Sequence, residues 1–307
     1  MNSLTLSEIS QVIYPVCYSV EEKIAGQQDK DLCDWWAKKN AFRHSLSLRS
    51  ILTYLHGNPS IRKLKILNLS GLYPGHQDFS ICHYLKDKLP VEFFAVDHPN
   101  SPFLKNSFFV AEVEKLRIRT ILRDVKQLMS QEIGEYLSGP PDIVLFTEIA
   151  EHLEHGTFLR SLQLIAEILP PHGLVLFSTP NADAMKYRIG HLMGRELGYW
   201  GDGATNMGKG LFGHVVYYNI PRLRRLLHDA GLKLQQEMTV NFPVVDPKFT
   251  GTKKRKEQLK LSVSNALIDV GDKFWRMPTL KYALKTVGDL IYLEIRKGSR
   301  ERIPLAL

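Results

Sequence analysis

An α/β fold built on a parallel sheet is what this sequence predicts, and three observations predict it. Between Leu64 and Ala182 four short apolar runs, rich in branched and aromatic residues, each hand over to polar residues at their carboxyl ends. Helical patterns fill the gaps between them, as a parallel sheet with crossover helices requires. The chain, 307 residues long, can bury a full core, yet its longest apolar stretches are strand-length, far short of the ~20 residues of a membrane span.

Residues 1 to about 62 read as mostly helical. Ser19-Val20-Glu21-Glu22 has the Ser-x-x-Glu pattern of a capping box. From Asp31 to Leu55 apolar residues recur at helical spacing (Trp35, Ala41, Leu46, Leu48, Ile51, Leu55) and stop at Gly57-Asn58-Pro59. This segment is expected to cover a sheet edge or to roof a ligand cleft. The core follows as strand 64–69, helix 77–88, strand 92–96, strand 142–147, helix 158–168 and strand 174–178. Val110 to Ile121 fits helix and strand equally by periodicity. Pro221 to Ala230 is a helix, with Pro221 in its first turn and Gly231 at its end. Leu232 to Phe242 is a sixth strand and Asp289 to Ile295 a seventh.

Two insertions, 183–212 and 243–287, interrupt the core, which spans 63–297 and leaves 298–307 as a tail. Both depart from carboxyl ends of strands, where ligands bind in such sheets. They are expected to act as a lid and a substrate-selecting cap; a disordered linker is the plainer alternative for the first.

Composition narrows the function. Met1 to Ser10 lacks the pattern of a signal peptide. Cys17, Cys33 and Cys82 have neither disulfide-framework nor zinc-site spacing, so a cytoplasmic setting is expected. The net charge is +8, much of it in Lys253-Lys254-Arg255-Lys256 with Lys260 and in Arg222, Arg224 and Arg225. Such clusters attract anions, or form solvated faces.

The strand ends carry the chemistry. The turn after the first strand supplies Gly71 and Gly75, where backbone can approach a ligand unobstructed. Asp97, 22 residues beyond Gly75, ends the second strand, where a carboxylate can accept both hydroxyl hydrogens of a ribose. A dinucleotide would need the Gly-x-Gly-x-x-Gly turn, which is absent. Thr147-Glu148-Ile149-Ala150-Glu151-His152 follows the fourth strand. If helical from Glu148, it pairs Glu148 with His152 and Glu151 with His155 on shared faces. A carboxylate behind an imidazole raises its basicity. A metal held by Glu148, His152 and His155 lacks familiar spacing. Ser178-Thr179-Pro180-Asn181 is read as cleft floor, with Asn181 a lesser contact to substrate, and His214 as a second acid–base candidate.

Taken together, ILNLSGLYPG, AVD, RDV, PDIVLFTEIAEHLEH, GLVLFSTPNA and GHVVYYNIPRLRRLLHDAGL resemble class I S-adenosylmethionine-dependent methyltransferases, over residues 60 to about 240 with the final strand beyond. The group it is most similar to holds ubiquinone-biosynthesis-like and sugar or antibiotic enzymes. The resemblance implies a Rossmann-like seven-stranded sheet with the last strand antiparallel. It implies S-adenosyl-L-methionine as cofactor, held by Asn68, Gly71, Gly75, Asp97, Asp124, Val125 and Thr147. Asp124 would bond the adenine amino group and Val125 would pack near the ring. The family usually has an acid where this chain has Asn68, and a denser glycine cluster around Ser70 to Pro74. Glu148, His152 and His214 are the candidate bases for methyl transfer to an oxygen, less readily nitrogen or carbon, of a small or glycosidic acceptor. The basic cap favours an anionic one. RNA methylation and a non-catalytic, partner-binding subunit stand as alternatives, the latter on the thinned glycine turn.

Overall fold

The computed structural model describes residues 4–72, 74–192, 214–274 and 276–298. Seven strands form one sheet in the order β3-β2-β1-β4-β5-β7-β6. They are β1 (Leu64–Asn68), β2 (Val91–Asp97), β3 (Arg119–Leu122), β4 (Ile143–Thr147), β5 (Leu174–Pro180), β6 (Leu232–Val240) and β7 (Leu290–Lys297). The first five pair in parallel, and β7 runs antiparallel to both its neighbours. The expected fold is therefore the one observed. Val110–Ile121, undecided by periodicity, contains both alternatives, helix to Lys115 and then β3.

Alternation along the strands builds two cores. Ile66, Phe93, Leu145, Leu176 and Tyr292 face one side; their neighbours Leu67, Phe94, Val144, Phe177 and Ile291 face the other. Successive strand residues point to opposite faces, so strands buried on both sides read as continuous apolar runs. The first core is closed by α1 (Leu6–Lys23), α2 (Lys30–Gly57), α3 (His76–Leu85) and α4 (Ser107–Lys115). The second is closed by α5 (Ser130–Leu137), α6 (His155–Ile168) and α8 (Ile220–Asp229), with α7 (Met185–Leu192) placed between β5 and α8 in the chain.

The N-terminal helices correct one expectation. The capping box belongs to Thr5 and Glu8, whose side chains and backbone N–H groups bond reciprocally; Ser19 lies inside α1. α2 is about 42 Å long at 1.5 Å per residue. Its second half lies on the sheet face, where Ser50 donates to Glu294 and accepts from Tyr292. Its first half reaches over the strand ends. All three cysteines are free and buried.

The second insertion is a helical pair, α9 (Gly251–Lys273) and α10 (Pro278–Lys285). Of the first, residues 183–192, with α7, are described, and the rest of the expected lid lies outside the described residues. Among the described residues no helix is long and apolar enough to cross a membrane.

Candidate active site

The loop from β1 to α3 folds back over the end of β2. Gly71 stands at φ +89°, and a Cβ there would lie 4.0 Å from Asp97 Oδ1, over the carboxylate. The Leu72 N–H donates to Asp97 Oδ2 at 2.9 Å and the His98 N–H to Oδ1 at 2.7 Å. Gly75 has a packing reason instead: at φ +96° it caps α3, and a Cβ would sit 2.7 Å from the Phe79 ring.

Asn68 is buried and holds the loop in shape. Its Nδ2 donates to the Gly71 carbonyl at 3.0 Å and to Asp78 Oδ1 at 2.7 Å, and its Oδ1 accepts from the Ser70 N–H. Asp78 on α3, a residue that sequence reasoning overlooked, thus places a buried carboxyl beside the asparagine at the end of β1. Burial pushes the Asp78 carboxyl up to about 8, the Asn68 bond opposing and the Asp97 charge adding. Thr147 joins three elements: its N–H donates to Ser70 Oγ at 2.6 Å, its hydroxyl to Gln77 Oε1 at 2.6 Å, and Gln77 donates to Ser47 of α2. Beyond β3, the Arg123 N–H bonds the Asp97 carbonyl. Asp124 accepts from the Lys126 N–H, and Val125 packs half-buried on the second core.

Glu148 does not begin a helix. It stands at φ +53°, left-handed backbone that a side chain bearing a Cβ seldom adopts. A single 3-10 turn, Ala150–His152, follows, and α6 starts at His155. The helical pairings of Glu148 with His152 and of Glu151 with His155 are therefore absent. Glu148 is fixed by Ser178, whose hydroxyl donates to Oε1 at 2.9 Å and whose carbonyl accepts the Glu148 N–H. Glu151 is buried and accepts from the Thr179 hydroxyl at 2.9 Å; burial and the Glu148 charge raise its carboxyl well above the usual range. The Val215 and Val216 N–H groups bond the Glu151 carbonyl, bringing His214 to the turn. The rings of His152 and His214 meet edge-on with centroids 4.9 Å apart, and one ligand atom each from Glu151, His152 and His214 lie within 4.8 Å of one another. His155 instead faces Arg222 on α8. Asn181 is buried and donates to the carbonyls of Thr286 and Gly288.

Over this turn lies α2. Trp35, Lys39 and Arg43 recur every four residues and so share one face. Arg43 Nη2 is 3.5 Å from Glu148 Oε2. Lys39 Nζ lies 4.5 Å from the Trp36 ring centroid, 4.8 Å from that of Phe242 and 5.1 Å from that of Trp35, and Arg43 covers Phe242 too. Burial, with the charges of Arg43 and Lys186, pulls the Lys39 ammonium down to about 8. Among the described residues Lys39 has no hydrogen-bonding or ionic partner, and Trp35 Nε1 and Arg43 Nε are buried without one. Apolar spacing marked Trp35 as inward but gave no sign of the two cations.

Two cavities open beside this roof. One, about 330 Å³, lies between α7 and α9 and is lined by Met185, Lys186, Leu261, Ser264 and Asp289 among others. The larger, about 1040 Å³, runs between the start of α2, with Asp34, Trp35 and Lys38, and the segment entering α9. The Lys253–Lys256 cluster is exposed on α9; Lys254 and Lys260 of the basic run border these two cavities. Arg224 pairs with Glu237 and Arg222 covers Tyr218, a solvated helix face.

The family described as a methyltransferase domain matches residues 80–237, just over half of the chain. Among solved structures, a S-adenosylmethionine-dependent methyltransferase from Clostridium acetobutylicum ATCC 824 is 10% identical, with 93% of this chain and 99% of that chain covered and a TM-score of 0.47. Magnesium protoporphyrin IX methyltransferase from Synechocystis PCC 6803, with bound S-adenosylhomocysteine, is 11% identical, with 96% and 100% covered and a TM-score of 0.48. A search of curated proteins finds no match.

Proposed function

The chain belongs to the methyltransferase-domain family, and we propose that it methylates an oxygen of a small, anionic acceptor. It is an enzyme, and S-adenosylmethionine is its methyl donor. The residues present fit that cofactor. Asp97 offers a carboxylate fixed at the end of β2, and Gly71 leaves the space above it clear of a side chain. Asp124 and Val125 stand at the end of β3, which is tied to Asp97 through Arg123. We assign the ribose to Asp97, the adenine end to Asp124 and Val125, and the methionine end to the loop that Asn68, Asp78 and Thr147 hold in place.

When bound, S-adenosylmethionine supplies a methyl group activated for displacement by its sulfonium. The protein's own residues then have two tasks, alignment and removal of the acceptor's proton. The carrying observation is the face of α2 beside Glu148, where Trp35 Nε1 and Arg43 Nε are buried without a partner and Lys39 Nζ lies among aromatic rings. An acceptor carboxylate or phosphate held there places a hydroxyl near the turn of Glu148, His152 and His214. Glu148 and the two histidines are the proton-accepting groups; Glu151, buried behind them with its carboxyl raised well above the usual range, accepts from Thr179 and orients the turn.

The test is calorimetric titration with S-adenosylmethionine and its demethylated product, with Asp97→Ala alongside. Micromolar binding by the intact protein, lost in the variant, supports the cofactor assignment; absence of binding by folded protein sinks it. A screen of hydroxylated carboxylates and sugar phosphates then tests the acceptor. Repeating the assay with a chelator decides between a proton relay, which is indifferent to it, and a divalent cation on Glu151, His152 and His214, whose loss the added metal would reverse.

A further inference from the structure

We propose that the outer face of α9 docks the protein on an anionic lipid surface. Between residues 251 and 285 the chain carries nine Lys or Arg against three Asp or Glu, so this segment holds +6 of the net +8. The helix is amphipathic in a way the domain does not use. Its inner face packs Leu261, Ser264 and Gly271 against the cavity and α10, where a Cβ on Gly271 would meet Leu284 and Lys285 within 3 Å. Its opposite face is an apolar stripe left in water: Leu259 is 64% exposed, Val263 44% and Val270 39%, with Phe274 (37%) and Met277 (54%) continuing beyond its end.

At about 100° per residue, Arg255 and Lys273 flank that stripe on one side and Lys256 and Lys260 on the other. No acid of α9 falls within about 90° of its centre line. Basic residues bordering an exposed apolar stripe are the pattern of a helix lying in the interface of an anionic bilayer, with the stripe among the acyl chains and the cations at the headgroups. The occupant follows from charge and polarity together. A second copy would bring +6 against +6. An RNA backbone would satisfy the cations but leave the stripe in water. A bilayer with acidic headgroups answers both, and with no described helix able to span it, contact is peripheral.

The experiment is co-sedimentation of the full chain with vesicles of phosphatidylcholine alone and of phosphatidylcholine with phosphatidylglycerol. Binding is expected only to the second, weakening with salt. It should fall about fivefold for each charge removed, by substitution with Gln, among Arg255, Lys256 and Lys273, and at least tenfold in Leu259→Asp/Val263→Asp. These residues are exposed, so the variants should keep the circular dichroism and cofactor binding of the parent, which separates loss of docking from loss of fold or of methyltransferase function. No sedimentation with acidic vesicles overturns the proposal. So does equal binding to both vesicle types, RNA binding at this face without vesicle binding, or a dimer that Leu259→Asp dissociates.

Discussion

At Asp78 a carboxyl group is wholly enclosed, 2.7 Å from the Asn68 amide and within range of the Asp97 charge. Its folded pKa is raised from 3.8 to about 8, so its stabilising contribution is full below the unfolded value and lost as pH rises through about 8. Asp78→Asn keeps the acceptor oxygen for Asn68 and removes the titration. The variant should therefore gain on the parent between pH 5 and 8, by up to a few kcal/mol at ~1.4 kcal/mol per unit. Urea unfolding at those two pH values checks it, and parallel curves would show that Asp78 is ionised without strain. Lys39 moves the other way. Its ammonium is lowered to about 8, so it is charged below that pH and neutral above. If it reads the acceptor's anion, kcat/KM for the acceptor falls as pH rises past about 8. Lys39→Met should lose at least tenfold at pH 7 and flatten that limb, while Lys39→Arg keeps its charge throughout.

Among the elements, strand alternation makes the sheet legible from the order of residues alone, because strands buried on both faces leave little choice of register. The β5 end shows why the site is less legible. Ser178, Thr179 and Asn181 read alike as polar residues after a strand, yet each has a different partner: Glu148, Glu151, and the carbonyls of Thr286 and Gly288. Those partners lie up to about a hundred residues away in the chain, beyond any local pattern. The turn at Glu148 is hidden for a related reason, since left-handed backbone at a glutamate is imposed by its surroundings rather than by propensity. Likewise Lys39 and Arg43 face inward on α2, where periodicity assigns cations to solvent. Asn181→Ala should leave two buried carbonyls without their donor and cost about 2–3 kcal/mol, read as a lower denaturation midpoint with cofactor affinity retained. A selective loss of acceptor affinity at unchanged stability would instead return Asn181 to the substrate.

For the molecule as a whole, the proposed binding region is the seam where the first half of α2 meets the carboxyl ends of β1, β2 and β4. The two sides are joined by Gln77 to Ser47 and Arg43 to Glu148, and through the first core. A ligand bound in the seam touches the folded state alone and stabilises it by mass action, about 2.7 kcal/mol at a hundredfold excess over Kd. At about 2–4 °C per kcal/mol for a chain of this order, S-adenosylmethionine should raise the thermal midpoint by roughly 5–10 °C. The shift should vanish in Asp97→Ala, which loses the carboxylate assigned to the ribose, and persist in Lys39→Met, which alters only the roof. Anionic acceptor added with the demethylated product should give a further rise in the parent and none in Lys39→Met, because the two ligands would occupy the sheet side and the roof side of one seam. A cofactor shift lost equally in both variants would place Lys39 on the cofactor and leave the acceptor's anion to be read elsewhere.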